Sequence, residues 1–268
     1  MSKIQDKFLE LKSKNQKALI AYVVAGYPNE SGTLSAVRGL VKGGADIIEL
    51  GLPFSDPLAD GPVIQNASHL ALKKGINFRK LISLIKKIKK KTNVPLVLMT
   101  YSNLLFKFGF DKFIKITKEA GIDGFILPDM SVDEAKDYLA AARKYHADTI
   151  FLISPNTEKE RMKRIANASS GFLYIVSQYG VTGQQQEIQQ HIQDVILNTK
   201  KIAHEKIPIG IGFGISNPSQ IRNFIKMGVD AVIIGSAFLR LIDGLPGDKI
   251  ERQVMSFTKS LKSATKAA

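Results

Sequence analysis

Eight short runs rich in valine and isoleucine, most of them separated by stretches of helical period, constrain this chain more than any other feature. They begin at Ala18, Asp46, Pro95, Asp123, Asp148, Gly171, Ile207 and Asp230 and read ALIAYVVAG, DIIELGL, PLVLMTY, DGFILPD, DTIFLISP, GFLYIVS, IPIGIGFG and DAVIIGS. Their apolar character is continuous rather than strictly alternating. That is expected of parallel strands covered on both faces, because both sides of each strand must then leave water. Helical patterns lie between them, as at residues 31–42, 131–144 and 218–227. A phrase also recurs: helix, glycine, a short spacer with aspartate, strand, as in GGADIIEL, EAGIDGFI and KMGVDAVI. Glycine there supplies a left-handed helix cap, and the recurrence is a small internal repeat.

Eight such units predict an α/β fold, a single-domain (β/α)8 TIM barrel over residues 1–268 with extra N-terminal and C-terminal helices. An open doubly wound sheet is the alternative. One core suffices for 268 residues that are 44% hydrophobic. The stripe Ile4, Phe8, Leu11 predicts a helix capping the barrel bottom, and Ile250, Val254, Phe257, Leu261 one packed on the outside.

The chain carries 38 Lys+Arg against 24 Asp+Glu, a formal net charge of +14. Its densest basic run, KKIKKK at residues 86–91, continues a helical stripe of Phe78, Leu81, Ile82, Ile85 and Ile88, which places the lysines mostly on a solvated face. No aromatic residues interleave with them, so a platform for single-stranded nucleic acid is unsupported. The opening residues are too charged for a secretory signal, and no apolar run is long enough for a membrane span. With no cysteine, disulfides and thiolate chemistry are excluded, and a cytoplasmic location is expected. Tryptophan is absent too.

A barrel builds its site from the loops at the C-terminal strand ends. No expected strand holds a lysine for Schiff-base chemistry or a histidine for a metal, and His69, His146, His191 and His204 lack ligand spacing. Carboxylates remain. Glu49 sits inside DIIELGL, where desolvation should raise its pKa toward that of a general acid or base, although a structural ion pair is the competing reading. Asp60 stands just before the helical segment GPVIQNASHLALKK and could simply cap it. Asp56, in Ser-Asp-Pro, could be a turn residue. Glycine-bearing turns at 180–183, 212–216 and 235–238 follow the last three strands and could bring backbone N–H groups to a phosphate, or be ordinary tight turns.

The segment ELGLPFSDPLADGPVIQ, residues 49–65, closely resembles the signature of the tryptophan synthase alpha chain family. AGYP at Ala25, MTYSN at Met99, LPD at Leu127, YIVSQYGVTG at Tyr174, GFGIS at Gly212 and IIGSA at Ile233 follow in family order. The resemblance implies a lyase that cleaves indole-3-glycerol phosphate by retro-aldol chemistry to indole and glyceraldehyde 3-phosphate. It assigns general acid/base work to Glu49, stabilisation of charge on the indole nitrogen to Asp60, and a place beside the glutamate to Tyr174. It maps Tyr22, Tyr101, Leu127 and Asp129 to the indole pocket and Gly183, Gly214, Gly235 and Ser236 to the phosphate, with Thr182 on a closing loop. It implies no cofactor in this chain, a beta-chain partner that holds pyridoxal phosphate and receives indole within an alpha2-beta2 heterotetramer, and an interface that includes Asp56.

One departure stands out. The family commonly has arginine after the serine of the strand-6 loop, and this chain reads Ser177-Gln178-Tyr179-Gly180. Other readings are an indole-glycerol-phosphate synthase, which would need a strand lysine, a basic barrel binding nucleic acid, and a stand-alone indole-releasing lyase.

Overall fold

The computed structural model describes residues 1–176, 185–204, 206–212 and 214–266, with the backbone alone at 185–189. Nine parallel strands form the sheet: β1 (Ala18–Val24), β2 (Ile47–Gly51), β3 (Leu96–Met99), β4 (Gly124–Ile126), β5 (Asp148–Ile150), β6 (Leu152–Ile153), β7 (Leu173–Val176), β8 (Ile209–Gly212) and β9 (Ala231–Ile234). Their order is β5-β4-β3-β2-β1-β9-β8-β7-β6. The two ends, β5 and β6, are separated in the chain by Phe151 alone, whose carbonyl accepts the Tyr174 N–H at 3.1 Å. One run of sequence therefore joins both edges and makes a nearly closed barrel, the expected (β/α)8 fold rather than an open sheet. The expected fifth strand is split because its first half pairs with β4 and its second with β7.

Twelve helices accompany the strands among the described residues: α1 (Lys3–Ser13), α2 (Glu30–Gly43), α3 (Pro62–Lys73), α4 (Phe78–Lys89), α5 (Ser102–Phe108), α6 (Phe110–Ala120), α7 (Lys136–Lys144), α8 (Lys159–Ala168), α9 (Gln185–Ile202), α10 (Pro218–Lys226), α11 (Ser236–Ile242) and α12 (Gly247–Ser263). The pattern expected from residue 131 becomes helix only at Lys136, since a turn donating the Glu134 N–H to the Ser131 carbonyl comes first. Gly44, Gly121 and Gly228 end their helices at positive φ (93°, 121° and 94°), as the repeat predicts.

Inside the barrel, Ile20, Ile47, Val97, Ile126, Ile150, Phe172 and Ile233 form one buried cluster. Ile4, Phe8 and Leu11 of α1 complete it from below, so the interior is a packed core closed at that end. Ile250, Val254 and Leu261 of α12 are buried on the outside. There α12 comes so near α2 that a Cβ at Gly39 would sit 2.6 Å from the Glu251 carbonyl oxygen. On α4, Leu81, Ile85 and Ile88 are buried while Lys86 and Lys87, with Lys90 and Lys91 just past its end, face water, as the stripe requires. Lys89 instead reaches Asp123, 3.4 Å away.

The repeated aspartates stand at the starts of their strands, at the barrel bottom, and do one job there. Asp46 accepts the Leu19 N–H at 2.7 Å, Asp123 the Leu96 N–H at 2.9 Å and Asp230 the Ile209 N–H at 3.1 Å. Each ties the start of its strand to the start of the preceding one. Each also faces a lysine: Lys262 at 2.6 Å from Asp46, Lys89 at 3.4 Å from Asp123 and Lys17 at 2.9 Å from Asp230. Asp148 is an intermediate case: one oxygen accepts the Ser170 hydroxyl at 3.0 Å and the other, buried, has no partner.

Candidate active site

At the opposite end of the barrel the carboxylates stand differently. Glu49 lies on β2 in register with Tyr22 on β1 and Val97 on β3, its side chain on the interior face that Ile47 shares. It is 1% exposed, and its Oε2 has no hydrogen-bond partner. No ion pair reaches it among the described residues, so the competing structural reading loses its support. Burial, followed by the nearby negative charge of Asp60, pushes its pKa up to about 8.

Asp60 is half-buried in the loop between β2 and α3. It does not cap α3: that position belongs to Gly61, which makes no side-chain cap bond, with Pro62 opening the helix. Its Oδ2 accepts the Tyr101 hydroxyl at 3.2 Å, and burial lifts its pKa to about 6 against that hydrogen bond. Tyr101 fixes the loop in two further ways. Its oxygen accepts the Ala59 N–H at 3.1 Å, and its ring stacks on Phe54 with centroids 5.0 Å apart. Asp56 accepts the Ser55 hydroxyl at 2.5 Å on the exposed side of the loop, as a turn residue would. Beside it Leu58 is 93% exposed.

Two tyrosines flank Glu49. Tyr22 and Tyr174 are buried, 5% and 8% exposed, and their hydroxyls have no hydrogen-bond partner among the described residues. Burial pushes both hydroxyl pKa values up, and among nearby charges those of Glu49 and Asp60 act on both. Each tyrosine leans over a glycine of the next strand. A Cβ at Gly212 would lie 2.5 Å from the Tyr174 hydroxyl, and one at Gly51 would overlap that of Tyr22. Sequence reasoning missed both contacts, although the alternation in IELG and GIG left gaps of that size.

Leu127 is buried just past β4, within the core between sheet and helices. Asp129 is exposed and engaged with α5. It accepts the Ser102 N–H at 2.9 Å and the Ser102 hydroxyl at 2.8 Å, supplying the cap that Tyr101 does not. Gly214 has φ 76° just past β8, and Gly235 and Ser236 begin α11 after β9. The α11 N-terminus has no side-chain cap bond, which leaves it open to an anion. Thr182 and Gly183 lie outside the described residues, as do Gln178 and Tyr179. All four histidines are exposed, and no group of side chains among the described residues could hold a metal ion.

Among the described residues the arrangement is two carboxylates of different pKa without neutralising cations, two tyrosine hydroxyls with open hydrogen-bonding capacity, and a helix end without a side-chain cap across the same rim. It can move protons and hold an anion. The family model described as tryptophan synthase alpha chain matches residues 8–267. The tryptophan synthase alpha chain of Petrotoga mobilis is 44% identical, over 98% of this chain and 99% of its own length. A solved tryptophan synthase subunit alpha from Legionella pneumophila has a TM-score of 0.90 at 33% identity, covering 99% of this chain and 98% of that one. The structure of the tryptophan synthase complex from Pyrococcus furiosus gives 0.84 at 33% identity over 92% of this chain and 98% of that one.

Proposed function

The chain belongs to the tryptophan synthase alpha chain family, and on that premise we propose how Glu49 and Asp60 divide its chemistry. The function is the alpha reaction of tryptophan biosynthesis, the retro-aldol cleavage of indole-3-glycerol phosphate to indole and glyceraldehyde 3-phosphate. The bond to break joins indole C3 to the carbon bearing the first side-chain hydroxyl. Glu49, with a pKa near 8, holds its proton at neutral pH and gives it to C3, so that the ring can accept the bonding electrons. The resulting carboxylate takes the hydroxyl proton as the aldehyde forms. The electrons return to the ring, and Glu49 ends protonated as it began. Asp60, with a pKa near 6, is ionised at neutral pH and stabilises the positive charge that grows on the indole nitrogen. Two neighbouring carboxylates with separated pKa values suit these separate roles.

Tyr174 sits beside Glu49, and Tyr22, Tyr101, Leu127 and Asp129 line or brace the indole end. Gly183, Gly214, Gly235 and Ser236 take the phosphate, with Thr182 on the loop that closes over it. A beta chain is the partner. Our reading is that it binds as an alpha2-beta2 heterotetramer, holds the pyridoxal phosphate, and receives indole across a face that includes Asp56. The neighbouring Leu58, held out in water, supports that choice of face. A cytoplasmic site of action fits a chain in which no described helix is long and apolar enough to cross a membrane. We also treat residues 1–268 as one domain.

The observation that carries the mechanism is the buried, unpaired Glu49 carboxylate beside an Asp60 that caps nothing. The test is an indole-release assay on indole-3-glycerol phosphate with and without a beta chain. Release is expected in both, faster with the partner. No release in either overturns the cleavage, and a high rate indifferent to the partner favours a stand-alone lyase.

A further inference from the structure

Tyr22 occupies β1 between two glycine-bearing neighbours. Its register partner on β2 is Glu49, yet its ring leans one layer further toward the rim, over Gly51. A Cβ at Gly51 would lie 2.6 Å from Tyr22 Cζ and 2.7 Å from Cε2, distances that real side chains do not tolerate. On the other flank a Cβ at Gly235, the residue that opens α11, would lie 3.0 Å from Tyr22 Cδ1. The ring thus spans the rim from the carboxylate side to the anion side, and on the β2 flank it fits only because Gly51 has no side chain, while at Gly235 the approach is merely tight. The offset is systematic. Tyr174 pairs with Gly210 and leans over Gly212, two residues on, as Tyr22 pairs with Glu49 and leans over Gly51.

We propose that Gly51 is a positioning residue of this reaction. Its missing side chain is the seat that holds the Tyr22 ring against β2 and carries the Tyr22 hydroxyl to the rim between Glu49 and the loop of Asp60. A methyl group at Gly51 evicts the ring, and the hydroxyl leaves the face where the two carboxylates work. The inference rests on the reading of Glu49 and Asp60 as the catalytic pair.

The test is a double-mutant cycle on the full chain with its beta chain, pairing Gly51→Ala with Tyr22→Leu, a side chain that stops short of the seat. Gly51→Ala alone should lower kcat about 10- to 100-fold, the scale of a misplacement near 1 Å, while KM changes much less. In the Tyr22→Leu background the same substitution should cost less than about 2-fold, because nothing then remains to evict. Equal losses in both backgrounds overturn the proposal. The midpoint of thermal unfolding should follow the same pattern, falling with Gly51→Ala only when Tyr22 is present. Folding of the double variant where Gly51→Ala alone fails supports the seat, and failure of both overturns it. Absence of indole release by the parent chain overturns the catalytic reading and the positioning role with it, whereas the thermal coupling reports on the seat alone.

Discussion

Carboxylates are buried at both ends of this barrel, and the two ends treat them differently. At the bottom, Asp46, Asp123 and Asp230 each accept a backbone N–H from the neighbouring strand and each face a lysine. At the top, Glu49 and Asp60 meet no cation among the described residues, and one Glu49 oxygen has no partner. Burial raises the pKa of Asp46 as it does that of Glu49, but at Asp46 the Lys262 charge and the Leu19 N–H oppose it. Thus a buried carboxylate can be matched by its surroundings, in which case it holds the fold, or left unmatched, in which case the protein works to keep it ready for protons. The difference can be broken experimentally.

The largest effect should come from Glu49→Gln, which removes the proton carrier and keeps the shape. We expect turnover to fall on the order of 10³-fold with substrate still bound, the scale of a lost general acid/base; near-normal cleavage would refute the role. Stability should move the other way. A glutamate whose folded pKa is raised loses folding free energy as pH climbs from 4.5, its ordinary value, to about 8. Urea unfolding should therefore find Glu49→Gln more stable than the parent at pH 9, by on the order of a few kcal/mol, and equal to it near pH 4.

Next in size is Asp60→Asn, with turnover down roughly 100-fold, as for loss of one stabilising group. In the parent, kcat/KM should rise as Asp60 ionises near pH 6 and fall as Glu49 loses its proton near pH 8. The substitution should flatten the acid limb and, because the Asp60 charge helps to raise the Glu49 pKa, move the alkaline limb to lower pH. An acid limb that persists would assign it to another group.

Asp46→Ala tests the other end. It strands a half-buried lysine and a backbone N–H, so about 3 kcal/mol of stability should be lost by urea unfolding, with turnover per folded molecule within about 2-fold of the parent because the rim is untouched. A loss of turnover without loss of stability would erase the distinction between the ends. The smallest effect should be that of Gln178→Arg, which places a cation just after the serine that follows β7, where the family commonly has arginine. It should alter activation by the beta chain more than basal cleavage. Equal changes in both rates would remove that loop from the control of the site.

Much of this was legible in the sequence because it is local. The apolar runs, the helix caps at Gly44, Gly121 and Gly228, and the aspartate repeat each depend on residues a few positions apart. The work of the repeat was not legible, since Asp46 acts on Leu19, a partner set by strand register. Asp129 escaped for the same reason: it caps α5 from another loop. The capping alternative for Asp60 fails because the turn at Pro57, whose carbonyl accepts the Asp60 N–H, ends one residue short of the helix cap at Gly61. Glu49 was found by the cost of placing charge in an apolar run. The glycine seats beneath Tyr22 and Tyr174 were missed because a gap has meaning only once its occupant is known.

The aspartate clamps have a kinetic consequence. Their backbone bonds join residues 27, 27 and 21 positions apart, so each can form between two consecutive strands and the one or two helices that connect them, as that segment collapses. The links that close the ring are of another order: Lys17 reaches Asp230 across 213 positions and Lys262 reaches Asp46 across 216. Short loops close early and long ones late. The barrel should therefore assemble as a growing arc of locally fastened segments, with the seam between its first and last strands sealed last.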